Sequence, residues 1–390
     1  MFSDRIGRIS PSATLAMTAK AAELRASGVD IINLSVGEPD FPTPVNIRDA
    51  GKRAIDDGHT RYTPGGGTMD LKKAASEKMA RDNDLHYEPA EILISCGGKH
   101  SLYNACQVLF QTGDEVIIFS PYWVSFPDFV AVTGAKPVFV KTDSQRQFEP
   151  DFDDLKLKLT SNTRGIIINS PSNPTGGVWN DDAVLKVLKI AQDINAWVFS
   201  DECYEQLTYD LPYVSTAMLA KNYDKVLTFQ SCSKTYAMTG WRIGYAAGDK
   251  RVIKAMGKLQ GQSTSCPNSI AQAAAIEALT GEQSEVAIMR IEFKKRRNFI
   301  VERLNQMAGV RCATPGGAFY VFPNFSTYMD KKRKIKCSDD FSMYLLEKKS
   351  VVTVSGKAFG GEGHIRFSYA ASNDDLRRAM DLVEETLNEI

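Results

Sequence analysis

From about Glu91 onward the chain alternates two hydrophobic patterns. The first is a set of short, near-continuous apolar runs rich in β-branched residues: EILIS, EVIIFS, KPVFVKT, RGIIINS, AWVFSDE, KVLTFQ and WRIGYAAG. Runs of this kind suit strands covered on both faces, as in a largely parallel sheet. The second pattern repeats its apolar positions at helical spacing, in KHSLYNACQVLFQ, WNDDAVLKVLKIAQDI and DKRVIKAMGKLQGQ. Asn180, Asp181 and Asp182 supply an N-cap and a first turn for the second of these helices. Strand and helix in alternation predict an α/β fold, with a mainly parallel seven-stranded sheet and flanking crossover helices.

Near Gly281 the texture changes. A long charged helix pattern, SEVAIMRIEFKKRRNFIVERLNQM, precedes the short runs GAFYVFP, VVTVSG and GHIRFSYA and a last helix, NDDLRRAMDLVEETLNEI. That order predicts a smaller α+β domain. No internal repeat or low-complexity segment interrupts the chain.

Composition narrows the partners. At 390 residues, two or three compact units are expected. Lys plus Arg and Asp plus Glu both total 47, so the formal charge is zero and no basic surplus draws nucleic acid or an anionic membrane. The cluster DKKRKIK, Asp330 to Lys336, reads as a solvated loop. No apolar run approaches the ~20 residues of a membrane span, and the N-terminus lacks an apolar signal core, so a cytoplasmic protein is expected. Seven cysteines lie scattered without a C-x-x-C pair, and the four histidines never fall at i, i+4 spacing on a helix. Neither a disulfide framework nor a metal centre is predicted.

Three familiar α/β signatures are missing. The chain has no G-x-G-x-x-G dinucleotide turn, no G-x-x-x-x-G-K-[ST] phosphate loop and no G-x-S-x-G nucleophile elbow. CGGKH (Cys96 to His100) and SGKAFG (Ser355 to Gly360) match only in part. In SCGGKHS the glycines join a strand to a helix. They would either expose N–H groups to a phosphate at the helix N-terminus or serve only a tight turn.

Ligands in open α/β sheets sit beyond the carboxyl ends of the strands. There this chain places NSPSNPTG (Asn169 to Gly176), SDECY (Ser200 to Tyr204) and SCSK (Ser231 to Lys234). Taken singly, Asn173 would be a turn residue, Asp201 a strand-end carboxylate and Lys234 a solvated loop lysine. Together an amine, a carboxylate, a neutral donor and a phosphate cradle are what pyridoxal 5'-phosphate requires of a protein. Lys234 would bond to its aldehyde, Asp201 would hold the pyridine nitrogen protonated, and Ser233 with Arg242 would bind its phosphate.

With these residues in view, the sequence resembles the class I aminotransferases, fold-type I pyridoxal-phosphate enzymes. The matching pieces, in family order, are NLSVGEPDF, YTPGGG, SCGGKHSL, SPYWVSF, NSPSNPTGG, SDECYEQLTY, SCSKTYAMTGWRIGY, GGAFYVF and HIRFSYA, spread over nearly the whole chain. The resemblance implies that Lys234 is the cofactor-bonding lysine, Asp201 the pyridinium partner, Asn173 and Tyr204 the donors to the phenolic oxygen, and Trp123 the aromatic stacked on the ring. Gly98, Lys99, Ser231, Ser233 and Arg242 match positions that bind the phosphate or flank it. Tyr62 matches a tyrosine reaching the phosphate of a neighbouring subunit, which implies a homodimer with shared active sites. Arg366 matches the clamp on the substrate α-carboxylate, aided by Gly37 and Asn173, and a guanidinium fork suits that role better than a lysine.

The resemblance further implies that residues 1–42 form an N-terminal arm and part of the small domain, 43–281 the large cofactor-binding domain and 282–390 the rest of the small one. The loop containing Gly37 would close over bound substrate. GGKH and PSATLAMTAKA are similar to the bacterial aspartate aminotransferase branch, which includes aspartate/prephenate enzymes, and Lys99 would there meet a substrate's side-chain carboxylate. Aspartate with 2-oxoglutarate is the expected pair, by ping-pong transfer between amino acids and 2-oxo acids. Prephenate, aromatic or kynurenine transamination, a cysteine-conjugate β-lyase and a non-enzymatic regulatory module are the alternatives. SCSK departs from the more apolar sequence before the lysine in some relatives, which bears on contacts at the ring edge and on substrate breadth.

Overall fold

A computed structural model describes residues 2–11, 13–330 and 335–390. Residues 331–334 of the basic cluster, and Ser12 of the PSATLAMTAKA stretch, lie outside the described residues. Thirteen strands occur among the described residues. In chain order they are β1 (Ile32–Asn33), β2 (Ile92–Ser95), β3 (Glu115–Ser120), β4 (Lys136–Asp143), β5 (Glu149–Pro150), β6 (Thr163–Asn169) and β7 (Trp197–Asp201). There follow β8 (Val226–Ser231), β9 (Gly244–Ala247), β10 (Tyr320–Val321), β11 (Val351–Val352), β12 (Val354–Ser355) and β13 (Ile365–Ser368).

The central sheet runs in the order β2-β9-β8-β7-β6-β3-β4-β5. The four pairings from β8 through β7, β6 and β3 to β4 are parallel, whereas β9 is antiparallel to both of its neighbours. The seven expected strands are all present, and an eighth, β5, is added antiparallel to β4. Two residues, one of them proline, form no apolar run, which is why the pattern missed it; proline is tolerated at such an edge. β2 and β8 are buried along their full length, as near-continuous apolar runs require.

Helices cover both faces. Helix Asp181–Asp193 starts where expected, with the Asn180 side chain accepting the Ala183 N–H at 2.8 Å. Helix Lys250–Ser263 is capped by Asp249. Helices Val45–Asp56 and Met69–Asn83 precede the first predicted strand, where the pattern marked no element.

A second body of structure joins chain segments far apart in sequence. β1 pairs in parallel with β11, so that Ile32 lies beside Val351, and β10, β13 and β12 form a three-stranded antiparallel sheet. Phe319, Phe325, Phe341 and Phe367 are buried in the cluster that also holds Ile32 and Leu34. Helices Ser284–Gln306 and Asn373–Glu389 pack beside it. All seven cysteines are free, and no cluster of metal-ligating side chains exists among the described residues. No helix among them is long and apolar enough to cross a membrane.

Candidate active site

Strand register brings the polar strand ends together. Asn169 on β6 lies opposite Asp201 on β7, Asp201 opposite Phe229 on β8, and Ser231 opposite Gly244 on β9. Beyond these ends lies a cavity of about 360 Å³. Of the thirteen residues anticipated from sequence, twelve line it: Gly37, Gly98, Lys99, Trp123, Asn173, Asp201, Tyr204, Ser231, Ser233, Lys234, Arg242 and Arg366. Tyr62 does not. It stands on the surface at 89% exposure.

The floor is made by β7. Its last residue, Asp201, accepts the Cys203 N–H at 3.2 Å, and its carbonyl accepts from Asn169 Nδ2 at 3.3 Å. Burial pushes the Asp201 carboxyl up to about 7; the Cys203 N–H opposes that shift, the nearby Glu202 charge adds to it, and Lys234 opposes it. Lys234 lies on the single turn Cys232–Thr235 and donates to the Gly37 carbonyl at 2.5 Å. Its pKa is lowered chiefly by burial, with Arg242 and Arg366 pushing the same way and Cys203 and Glu38 against. A buried amine next to cations favours its neutral, nucleophilic form.

One side of the cavity is a helix start. Gly97 has φ 91°, a conformation glycine adopts freely, and helix Gly98–Leu109 begins there without a side-chain cap. A Cβ at Gly97 would run into the Arg242 guanidinium. The tight turn expected of these glycines is therefore present at Gly97, and the helix that follows starts without a side-chain cap on its first-turn N–H groups. Ser231 and Ser233 hydroxyls lie 2.9 Å apart, and Arg242 donates to the Thr239 carbonyl at 2.7 Å.

Arg366, on β13, enters from the smaller sheet. Its side chain donates to Asn173 Oδ1 at 3.0 Å and to the Ser35 carbonyl at 2.5 Å, between the rings of Tyr320 and Phe359. Nε is buried and has no hydrogen-bond partner among the described residues. Lys99 Nζ reaches Ser125 Oγ at 3.2 Å and lies 4.9 Å from the Trp123 ring centroid. Its pKa is lowered by burial first and Arg242 second, with Asp128 opposing.

Sequence reading assigned no role to several other lining residues. Tyr320, on the two-residue strand β10, brings its hydroxyl 2.9 Å from that of Tyr204. The motif GGAFYVF contained it, but nothing in spacing tied residue 320 to residue 204. Cys203, Glu38, Thr239 and Gln230 also line the cavity. Glu38 accepts from Thr239 Oγ1 at 2.7 Å, which ties the Gly37 loop to the segment after Lys234.

A sequence model of the family described as "Aminotransferase class I and II" matches residues 29–383. An aspartate/prephenate aminotransferase of Cereibacter sphaeroides is 45% identical over 97% of this chain and 96% of its own length. An aspartate aminotransferase of Geobacillus stearothermophilus is 45% identical over 97% of each chain. Among solved structures, an aspartate aminotransferase from Thermus thermophilus with maleate superposes with a TM-score of 0.94 at 39% identity over 99% of each chain.

Proposed function

The chain belongs to the class I and II aminotransferase family, and from that premise we propose a pyridoxal-5'-phosphate-dependent enzyme that moves the amino group of aspartate to 2-oxoglutarate, giving oxaloacetate and glutamate. The observation that carries this reading is the convergence of the Lys234 amine, the Asp201 carboxylate and the Arg366 guanidinium on one cavity.

The residues present fit the cofactor. An uncapped helix N-terminus, two serine hydroxyls and Arg242 suit a phosphate, Asp201 offers a buried acceptor to a protonated ring nitrogen, and Trp123 offers a flat face. When bound, pyridoxal phosphate supplies an aldehyde for amino groups and an electron-withdrawing ring for the charge left at a substrate's α-carbon.

The protein's own groups do the rest. Asp201 would keep a proton on the ring nitrogen, while Tyr204 and Asn173 would donate to the phenolic oxygen. Lys234 would hold the cofactor between turnovers and would move the proton at the substrate's α-carbon, a task suited to an amine of lowered pKa. Arg366 would clamp the α-carboxylate through its guanidinium fork, and the Gly37 loop would exclude water. Lys99 meets the side-chain carboxylate, which selects acidic substrates.

A second acceptor, prephenate, is favoured by the similarity to the aspartate/prephenate aminotransferase of Cereibacter sphaeroides, and its remote carboxylate suits the same Lys99. We also read the enzyme as a cytoplasmic homodimer in which the exposed Tyr62 reaches the phosphate site of a second copy. Residues 1–42 with 282–390 would form its smaller domain, and 43–281 the larger. Initial rates with aspartate and 2-oxoglutarate varied together test the reaction. Parallel double-reciprocal lines with glutamate as product are expected, whereas ammonia and pyruvate from substrates with a β leaving group would replace this reading with a lyase.

A further inference from the structure

Directly after Asp201, Glu202 leads into a buried polar cluster behind the cavity. It is fully buried, and no cation among the described residues is bonded to it. Oε1 accepts from Ser215 Oγ at 2.7 Å, Ser200 Oγ at 2.9 Å and the Thr216 N–H at 3.2 Å; Oε2 accepts from Gln230 Nε2 at 3.2 Å. Gln230 is the bridge, since it also lines the cavity. Its Oε1 accepts from Lys78 Nζ at 3.0 Å and from Tyr245 OH at 3.0 Å, and Lys78 is paired with Glu205 at 2.5 Å.

The Gln230 amide has one workable orientation. Its N–H side must face the Glu202 carboxylate and its carbonyl the Lys78 ammonium, because the reverse would set donor against donor and acceptor against acceptor. Backbone bonds complete the link to the site. The Glu202 N–H donates to the Phe229 carbonyl at 2.9 Å, and the next N–H, that of Cys203, holds the Asp201 carboxylate. Anchoring the Glu202 side chain therefore fixes the peptide that aims Asp201; burial raises the Glu202 pKa, the Ser215, Gln230 and Ser200 donors favour its charged form, and that charge acts on the Asp201 carboxyl.

Resting on the reading of Asp201 given above, we propose that Glu202, oriented by Gln230 and Lys78, is a positioning residue that aims and strengthens Asp201 as the partner of the cofactor's ring nitrogen. Removing its charge weakens binding only of a ligand that has that nitrogen.

The test strips cofactor from the full-length protein and titrates it, by absorbance, with pyridoxal phosphate and with its 1-deaza analogue, in which CH replaces the ring nitrogen. Wild type is expected to prefer pyridoxal phosphate. In Glu202→Gln its affinity should fall about tenfold while that for the analogue holds, so the preference collapses. Gln230→Met, which leaves the Lys78–Glu205 pair in place, should reduce the preference in the same direction and serves if the first variant fails to fold. A variant that retains the wild-type preference overturns the proposal and leaves the Asp201 reading standing. Absence of any preference in wild type overturns both.

Discussion

At the end of β7 two consecutive acids lead into two different regions. Asp201 opens on the cavity, where its carboxylate accepts one backbone N–H and burial holds its pKa up near 7. Glu202 points into the cluster behind, where four donors and a buried ion pair complete one another. Both regions are buried and polar, so burial does not separate them. What separates them is whether the hydrogen-bonding capacity is used up. In the cluster the Glu202 carboxylate and the Gln230 amide are met internally, which fixes structure, although the neighbouring Tyr213 hydroxyl has no hydrogen-bond partner among the described residues; in the cavity the Asp201 carboxylate keeps capacity for a ligand.

The sharpest way to break this contrast is to delete one charge from each region. Lys234→Ala should lower transamination by roughly 10²–10⁴-fold or more, the contribution of a positioned acid–base group, with little change in thermal stability. Rates near wild type would remove Lys234 from the mechanism. Lys78→Met should do the reverse in kind. It leaves Glu205 buried without its cation and should cost about 3–5 kcal/mol of stability, read from urea unfolding of cofactor-free protein. A neutral result would show that the cluster does not depend on its ion pair.

Asp201→Asn sharpens the comparison through pH. A carboxyl whose folded pKa is raised holds its proton more tightly folded than unfolded, so wild-type stability falls as pH climbs from about 4, the usual aspartate range, to about 7. The cofactor-free Asn variant should therefore melt higher than wild type at pH 8, with the gap closing as pH drops toward 4. A gap independent of pH would mean that Asp201 is already ionised at no cost. The smallest effect is expected at Lys99→Ala: about a tenfold loss in the preference for aspartate over alanine, as kcat/KM, the value of one charge-assisted contact. Unchanged discrimination would exclude Lys99 from substrate choice.

Legibility in the sequence follows the same division. The strands of the central sheet could be read because each is an apolar run covered on both faces, and Asn169, Asp201 and Ser231 could be placed because polar residues close those runs. β5 escaped because an edge strand of two residues has no period. Tyr320 escaped because its partner, the Tyr204 hydroxyl, is 116 positions away and only the folded chain joins them. Lys78 lies in KKAASEKMARDN, a stretch whose charge pattern suggests a solvated helix face. Its burial depends on Glu205, in the turn after β7, and on Gln230, near the end of β8, and no local pattern encodes that. Family resemblance assigned roles in the cavity because reacting motif residues surround it; Ser200, Glu202 and Glu205 of the cluster fall inside SDECYEQLTY, but lying outside the reacting set they received no role.

The most direct test of the central claim is the visible absorbance of the purified protein with pyridoxal phosphate, recorded before and after aspartate and then after 2-oxoglutarate. A long-wavelength band that aspartate removes and 2-oxoglutarate restores is the predicted result, and it reports cofactor, half-reaction and acidic preference together. No band, or a band that responds to phenylalanine or alanine but not to aspartate, would contradict the account.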